Sequence, residues 1–201
     1  MRLALIRLIT LCLPAIPACL AQAQSGVSKD ATFAFYFGIG AEWLPEAYSP
    51  RGFSMNVTGR YYTSERLFLD ILGHWGNNEG SKDVTQGNNT TTLRDERNSL
   101  LIAAGPGYDL YQNGENTLSI HARMLIGYGL RHSEYDDFDP HYGDNGRFSH
   151  DIENTRKGFA AVGGVGVDMR FKRWIITPSV DAIYVGNAWS VSATLSVGYF
   201  Y

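Results

Sequence analysis

Apolar and polar residues alternate with a period of two along most of this chain, in stretches of roughly ten residues or slightly more that recur about eight times. That period and length predict β-strands long enough to cross a bilayer at a tilt. The predicted strands are 32–43, 53–62, 66–76, 99–111, 117–131, 158–171, 174–185 and 188–201. In 117–131, Leu118, Ile120, Ala122, Met124, Ile126, Tyr128 and Leu130 share one face. Ser119, His121, Arg123, Leu125, Gly127, Gly129 and Arg131 share the other. In 188–201, Trp189, Val191, Ala193, Leu195, Val197, Tyr199 and Tyr201 oppose Ser190, Ser192, Thr194, Ser196, Gly198 and Phe200. The apolar faces carry no charge, and aromatic residues sit at their ends, as membrane-interface girdles do.

The connections alternate in length. Residues 63–65, 112–116 and 172–173 make short turns; 44–52, 77–98 and 132–157 are predicted as loops at the opposite end; and Gly186-Asn187-Ala188 is a short link on that side. Tight turns at one end and extended loops at the other, around an even number of strands, predict an all-β fold: an eight-stranded antiparallel up-and-down transmembrane β-barrel. Such a sheet must close, because hydrocarbon offers backbone groups no partner.

Composition narrows the picture. With 44% hydrophobic and 13% aromatic residues the chain is too apolar for disorder. The N-terminus reads as an export signal over 1–23. Arg2 and Arg7 form its positive end, Leu3–Leu13 its apolar stretch and Ala21-Gln22-Ala23 its cleavage site, leaving a barrel domain over 24–201. Ile16-Pro17-Ala18-Cys19 loosely resembles a lipoprotein box, an alternative processing site. Cys12 and Cys19 both fall in the removed segment, so the mature chain carries no thiol chemistry. Cleavage leaves Lys+Arg 15 against Asp+Glu 20, a mature charge of −5 that disfavours nucleic acid as a partner.

An eight-stranded barrel has room inside only for side chains. The inward set predicted from the alternation is Glu42, Arg60, Asp70, His74, Asp109, His121, Arg123, Arg131, Asp168, Arg170 and Asp181. Buried charges persist when paired, so a cross-barrel ion-pair network is expected rather than an open pore. Inward Gly38, Gly40, Gly127, Gly129, Gly164 and Gly166 are expected to make room for the long arginines. Pro106 and Pro178 fall inside predicted strands. Each is read as a bulge near the rim, with a weakened seam that admits lipid as the alternative.

At this point the chain resembles the small OmpA-type and OmpX-type outer-membrane barrels. The resemblance covers essentially the whole mature chain and rests on this plan and on the C-terminal Leu195-Ser196-Val197-Gly198-Tyr199-Phe200-Tyr201. Leu195, Val197, Tyr199 and Tyr201 resemble the signal read by the barrel-assembly machinery, with Tyr in place of the usual final Phe. The resemblance implies a bacterial outer-membrane location in a Gram-negative envelope, lipid and lipopolysaccharide as surroundings, and the assembly machinery as a partner during biogenesis. No cofactor, no metal site and no added periplasmic domain are expected, and the barrel is expected to be a monomer.

Three functional readings follow. The first is a structural, adhesion or surface-interaction role through residues 77–98 and 132–157, with an external ligand or host surface as the partner. The second is a lipid A-modifying enzyme of deacylase or acyltransferase type. His132-Ser133, or His74 or His121 with Asp70, are its candidate groups, although His132-Ser133 departs from the His-x-Ser motif of the deacylases. The third is a narrow solute channel. Acidic residues between Glu134 and Glu153 offer oxygen ligands for a divalent ion without the ordered spacing of a calcium loop. The sequons at Asn56 and Asn89 are read as chance matches.

Overall fold

The structure is a computed structural model. It describes residues 33–48, 50–86, 89–114, 117–138 and 149–201. The expected export signal, the lipoprotein box and both cysteines lie outside the described residues, as do Asp139, His141 and Asp144.

Eight strands occupy the chain: β1 (Phe33–Trp43), β2 (Arg51–Tyr62), β3 (Leu67–Gln86), β4 (Asn89–Gln112), β5 (Leu118–Phe138), β6 (Ser149–Phe171), β7 (Trp174–Val185) and β8 (Ala188–Phe200). Each pairs antiparallel with its sequence neighbour. β1 closes the ring on β8, from Ala34 opposite Phe200 to Trp43 opposite Val191. The expected eight-stranded barrel is the observed fold.

Two tight turns set the hairpin registers. Val185 pairs with Ala188 around Gly186 and Asn187, both at positive φ (56° and 80°). Such a turn matches the right-handed twist of its strands. Phe171 pairs with Trp174 around Lys172, at φ 58°.

The alternation places the apolar rows outside. Ile71, Ile102 and Ile126 are 60–64% exposed in the isolated chain. Three bare isoleucines on neighbouring strands, amid Leu69, Leu100, Met124 and Val165, form a continuous apolar band of the kind soluble proteins do not leave uncovered. Aromatic pairs edge it. Trp43 stacks edge-on with Trp189 and Phe53 with Trp75 at one rim, and Trp174 with Tyr199 and Tyr199 with Tyr201 at the other.

Two expectations change. Residues 77–98 and 132–157 are not open loops, because the hairpins continue as paired strands beyond the apolar band. Pairing runs from Asn77 opposite Asn98 to Gln86 opposite Asn89, and from His132 opposite Thr155 to Phe138 opposite Ser149. Most side chains on both faces are polar there, although Asn78, Leu93 and Asp95 are buried, so the apolar alternation stops while backbone pairing does not.

The prolines are not bulges either. The β4–β5 ladder stops at Ala104 opposite Ile126 and resumes, in unchanged register, at Gly107 opposite Arg123. The β6–β7 ladder likewise skips from Gly166 opposite Ser179 to Met169 opposite Ile176. A residue without an N–H opens a gap on one side, while Pro106 and Pro178 still face Leu69 and Leu195 on the other. The true register shift lies between Asp109 and Tyr111.

Candidate functional site

The interior divides into layers. Toward the long-hairpin end, β1 supplies Glu42, β3 His74, β4 Ser99, β5 Arg131 and β8 Ser190. Glu42 accepts from Ser190 Oγ and, at 3.4 Å, from Ser99 Oγ, and stands 3.5 Å from His74 Nε2. Arg131 Nη2 donates to Ser190 Oγ at 3.3 Å.

Beneath this cluster Leu72, Leu101, Ala103, Leu125, Ala160, Val162, Ile183 and Val185 pack into a dry layer. Polar residues line the facing wall. Ser54 meets Ser192 at 2.9 Å, and Asn56 Nδ2 donates to Thr194 Oγ1 at 3.1 Å. Within this polar wall Gly38, on β1 between β2 and β8, lets Asn56 and Ser196 approach, and a Cβ there would strike both.

Toward the short-turn end lies the dense ionic floor. Arg60 on β2 donates from Nε to Asp70 at 2.8 Å and from Nη1 to Asp168 at 2.9 Å. Its guanidinium carbon lies 3.7 Å from the centre of the Phe68 ring, with Tyr36 and Tyr62 on its flanks. Arg123 pairs with Asp181 at 2.9 Å and reaches Asp70 at 3.3 Å. Arg170 sits 3.7 Å from Asp109 and donates to Tyr62 Oη at 3.0 Å. Thr177 Oγ1 donates to Asp168 Oδ1 at 2.7 Å, a side-chain link across the gap beside Pro178. The inward charges thus form two clusters separated by apolar side chains, not one continuous network.

A cavity of about 10 Å³ among Tyr36, Thr58, Arg60, His121, Arg123 and Ser196 has room for about one water. None of the six inward glycines has an arginine among the nearest atoms that an added Cβ would meet, so the room they make goes to other groups. Gly164 admits the Asp181 carboxylate, Gly166 the His121 ring and Gly129 the Val185 methyls, each of which an added Cβ would strike.

Of the candidate catalytic groups, His74 and His121 face the interior, at 3% and 1% exposure, away from lipid. His132 lies on the outer face of the β5 extension, 2.9 Å from Thr155 Oγ1 and 4.0 Å from Glu153. Ser133, its strand neighbour, points to the opposite face.

The alternation did not single out the residues that fasten the long hairpins. Leu44 and Tyr48, in the β1–β2 connection, fold over the mouth. Tyr48 N donates to Asp95 at 2.7 Å and Tyr48 Oη to the Asp136 carbonyl at 2.7 Å, while Arg97 pairs with Asp95 at 2.8 Å. Asp95 was hidden inside a segment read as a loop.

Register also creates a feature that no single strand reveals. Glu79 faces Glu96, Glu96 faces Glu134 and Glu134 faces Glu153. Four carboxylates therefore cross four strands in one outward row. The row lies four residues, or about 13 Å, beyond the row of Trp75, Leu100 and Leu130. Like charges directly opposite destabilise a sheet. Glu96 and Glu134, each flanked on both sides, are the costliest members, and Glu96 alone accepts a hydrogen bond from Asn98. E134Q is expected to stabilise the hairpin extensions by about 0.5–1 kcal/mol, measured as slower amide exchange in β5, with the gain shrinking in high salt.

No protein-family model matches the chain, and no curated protein matches it. Solved structures do. The chain aligns over 85% of its length, and 99% of the other, with a major outer membrane protein from Thermus thermophilus, at TM-score 0.57 and 11% identity. Over 89% of its length and 98% of the other it aligns with OprG from Pseudomonas aeruginosa, at 0.53 and 9%. Over 86% and 99% it aligns with Ail, the attachment invasion locus protein of Yersinia pestis, solved with the heparin analogue sucrose octasulfate, at 0.52 and 12%. At these identities the likeness is one of fold: that of the small outer-membrane β-barrels.

Proposed function

We infer that this chain is an integral outer-membrane barrel that works through its surface, with β3–β4 and β5–β6 held outside the cell as rigid paired hairpins. The observation that carries this reading is the continuation of pairing past the girdle, up to Gln86 opposite Asn89 and Phe138 opposite Ser149. In barrels of this kind the short turns face the periplasm and the long connections face outward. The filled interior leaves the hairpins as the part of the molecule open to a partner.

Their charge selects the partner's sign. Residues 132–157 hold Asp and Glu at 7 positions against Lys and Arg at 3, and the carboxylate row faces outward beside them. Ail was solved with a polyanionic ligand. Here a polyanion would meet Glu79, Glu96, Glu134 and Glu153, so the fitting partner is a basic surface. Leu195, Val197 and Tyr199 lie on the outer face of β8, with Tyr201 next in the row, where the assembly machinery would read them.

The test compares the full chain with a variant in which 79–96 and 134–153 are each replaced by Asn-Gly. Both should fractionate with the outer membrane and run faster on gels before boiling than after. In nanodiscs of zwitterionic phosphatidylcholine, only the full chain should bind polylysine, and neither should bind heparin. Equal polylysine binding by the two, or fractionation of the full chain as a soluble protein, would contradict the reading.

A further inference from the structure

In the ionic floor, Asp109 of β4, His121 of β5 and Asp168 of β6 converge from three consecutive strands. Asp109 stands directly opposite His121. Asp168 stands opposite Ser119, the inward residue two positions before His121. One ligating atom from each of Asp109, His121 and Asp168 lies within 4.8 Å of the other two, and all three residues are buried.

Two observations set this cluster apart from the ion pairs around it. The first is a concentration of polar atoms without partners. Asp109 Oδ1, His121 Nδ1 and Ser119 Oγ make no hydrogen bond, although none of the three residues exceeds 1% exposure. A buried polar atom left alone costs about 1–3 kcal/mol, and three in one place call for a common occupant. His121 Nδ1 faces Asp168 Oδ1 at 3.5 Å. That is long for a hydrogen bond. It is close to the roughly 3.3 Å that separates two ligands on a tetrahedral ion bound at about 2.0–2.1 Å.

The second observation is charge. The floor holds Asp70, Asp109, Asp168 and Asp181 against Arg60, Arg123 and Arg170, one carboxylate more than it has guanidiniums. The excess sits at Asp109. Its guanidinium stands 3.7 Å away, whereas Asp70, Asp168 and Asp181 each have one at 2.8–2.9 Å.

We propose that Asp109, His121 and Asp168 bind a divalent cation of the zinc type, with Ser119 Oγ, on β5 opposite Asp168, as a fourth ligand. One imidazole with carboxylates suits zinc, whereas calcium takes six to eight oxygens. A guanidinium only donates, so the 3.3 Å contact from Arg60 Nη2 to His121 Nε2 leaves the neutral ring's proton on Nδ1. Loading the ion at Nδ1 moves that proton to Nε2 and parts this contact, while Arg60 keeps Asp70 and Asp168. Entry is from the short-turn end, past Arg170, 17% exposed, and Gln112, which donates to Asp109 Oδ2 at 2.7 Å.

The ion would staple β4, β5 and β6 where the ladders are weakest. It would sit beside the register shift at Asp109–Tyr111 and at the Asp168–Thr177 position that the β6–β7 ladder skips.

The experiment strips the purified full chain with EDTA in detergent and titrates it with Zn²⁺ and, separately, Co²⁺. The expected results are about one zinc per chain by elemental analysis, a higher unfolding midpoint, and a visible cobalt spectrum of four-coordinate type. D109N and H121Q, checked for heat-modifiable mobility, should lose the stoichiometric ion, while E134Q/E153Q on the outer row should keep it. Failure of the folded wild type to take up zinc overturns the proposal, as does unchanged uptake by folded D109N or H121Q. The wild-type cobalt spectrum decides if neither variant folds: a spectrum without four-coordinate character also overturns it.

Discussion

Replacing Arg60 by methionine is expected to lower the barrel's unfolding free energy by about 3–5 kcal/mol, the cost of breaking a buried ion pair from one side. Arg60 is 2% exposed and bridges two carboxylates on different strands, Asp70 and Asp168, both fully buried. Without the guanidinium, Asp168 keeps Thr177 as a hydrogen-bond donor but loses its cation, and Asp70 keeps only Arg123 at 3.3 Å. Methionine fills much of the volume over Phe68, so the loss reports charge rather than a cavity. R60K should fall between the two. An ammonium restores the charge but cannot make the paired contacts to Asp70 from Nε and Nη2, at 2.8 and 3.0 Å, while also reaching Asp168. The triple variant R60M/D70N/D168N should recover most of the loss, since replacing a whole buried ion cluster is often close to neutral. Urea unfolding in lipid vesicles, followed by tryptophan fluorescence, gives the four midpoints. A loss under about 1 kcal/mol for R60M would mean that the floor is wet and screened.

The second large effect concerns closure. Gly40 on β1 lies against the Ala193 carbonyl and Thr194 of β8, and Gly127 on β5 against the Ile102 carbonyl and Ala103 of β4. An added Cβ at either position meets neighbouring backbone, which has no rotamer to yield. Overpacking costs about 1–3 kcal/mol where side chains can shift, and more where the obstacle is the neighbouring strand itself. G40V and G127V are therefore expected to prevent formation of the fast-migrating folded band. G163V is the control. Gly163 points outward, and a Cβ there meets nothing within 4 Å, so its folded band should persist. Equal behaviour of the three variants would mean that the inward glycines are not steric requirements.

The part of the molecule that meets hydrocarbon was legible in the sequence because lipid and barrel interior impose opposite demands on alternate residues. Leu118 to Arg131 and Trp189 to Tyr201 could be assigned to faces residue by residue. The hairpin extensions were not legible, because beyond Trp75 and Leu130 most side chains on both faces are polar, those of the buried Asn78 and Asp95 included, and the alternation carries no information. The β-favouring run Thr90-Thr91-Thr92 was the local sign that pairing continues. The inward direction of Arg60 and Asp168 follows from alternation alone, but their contact does not. They are separated by 108 residues and meet only through the register of a closed sheet. The same holds for the split into two charged clusters, for the carboxylate row, and for the partnerless atoms around Asp109 and His121. Proline was legible as a lost donor, but not as a gap with register preserved, because that depends on what the two neighbouring strands do opposite it.

The reading of the whole molecule rests on what touches Ile71, Ile102 and Ile126. With Cys12 and Cys19 changed to serine, a nitroxide at each of these positions in lipid vesicles measures collisions with oxygen and with a water-soluble nickel chelate. High oxygen accessibility and low nickel accessibility at all three are expected of side chains in hydrocarbon. Low accessibility to both reagents would place a protein layer over these strands, and high nickel accessibility would place them in water; either result would contradict the membrane-spanning barrel.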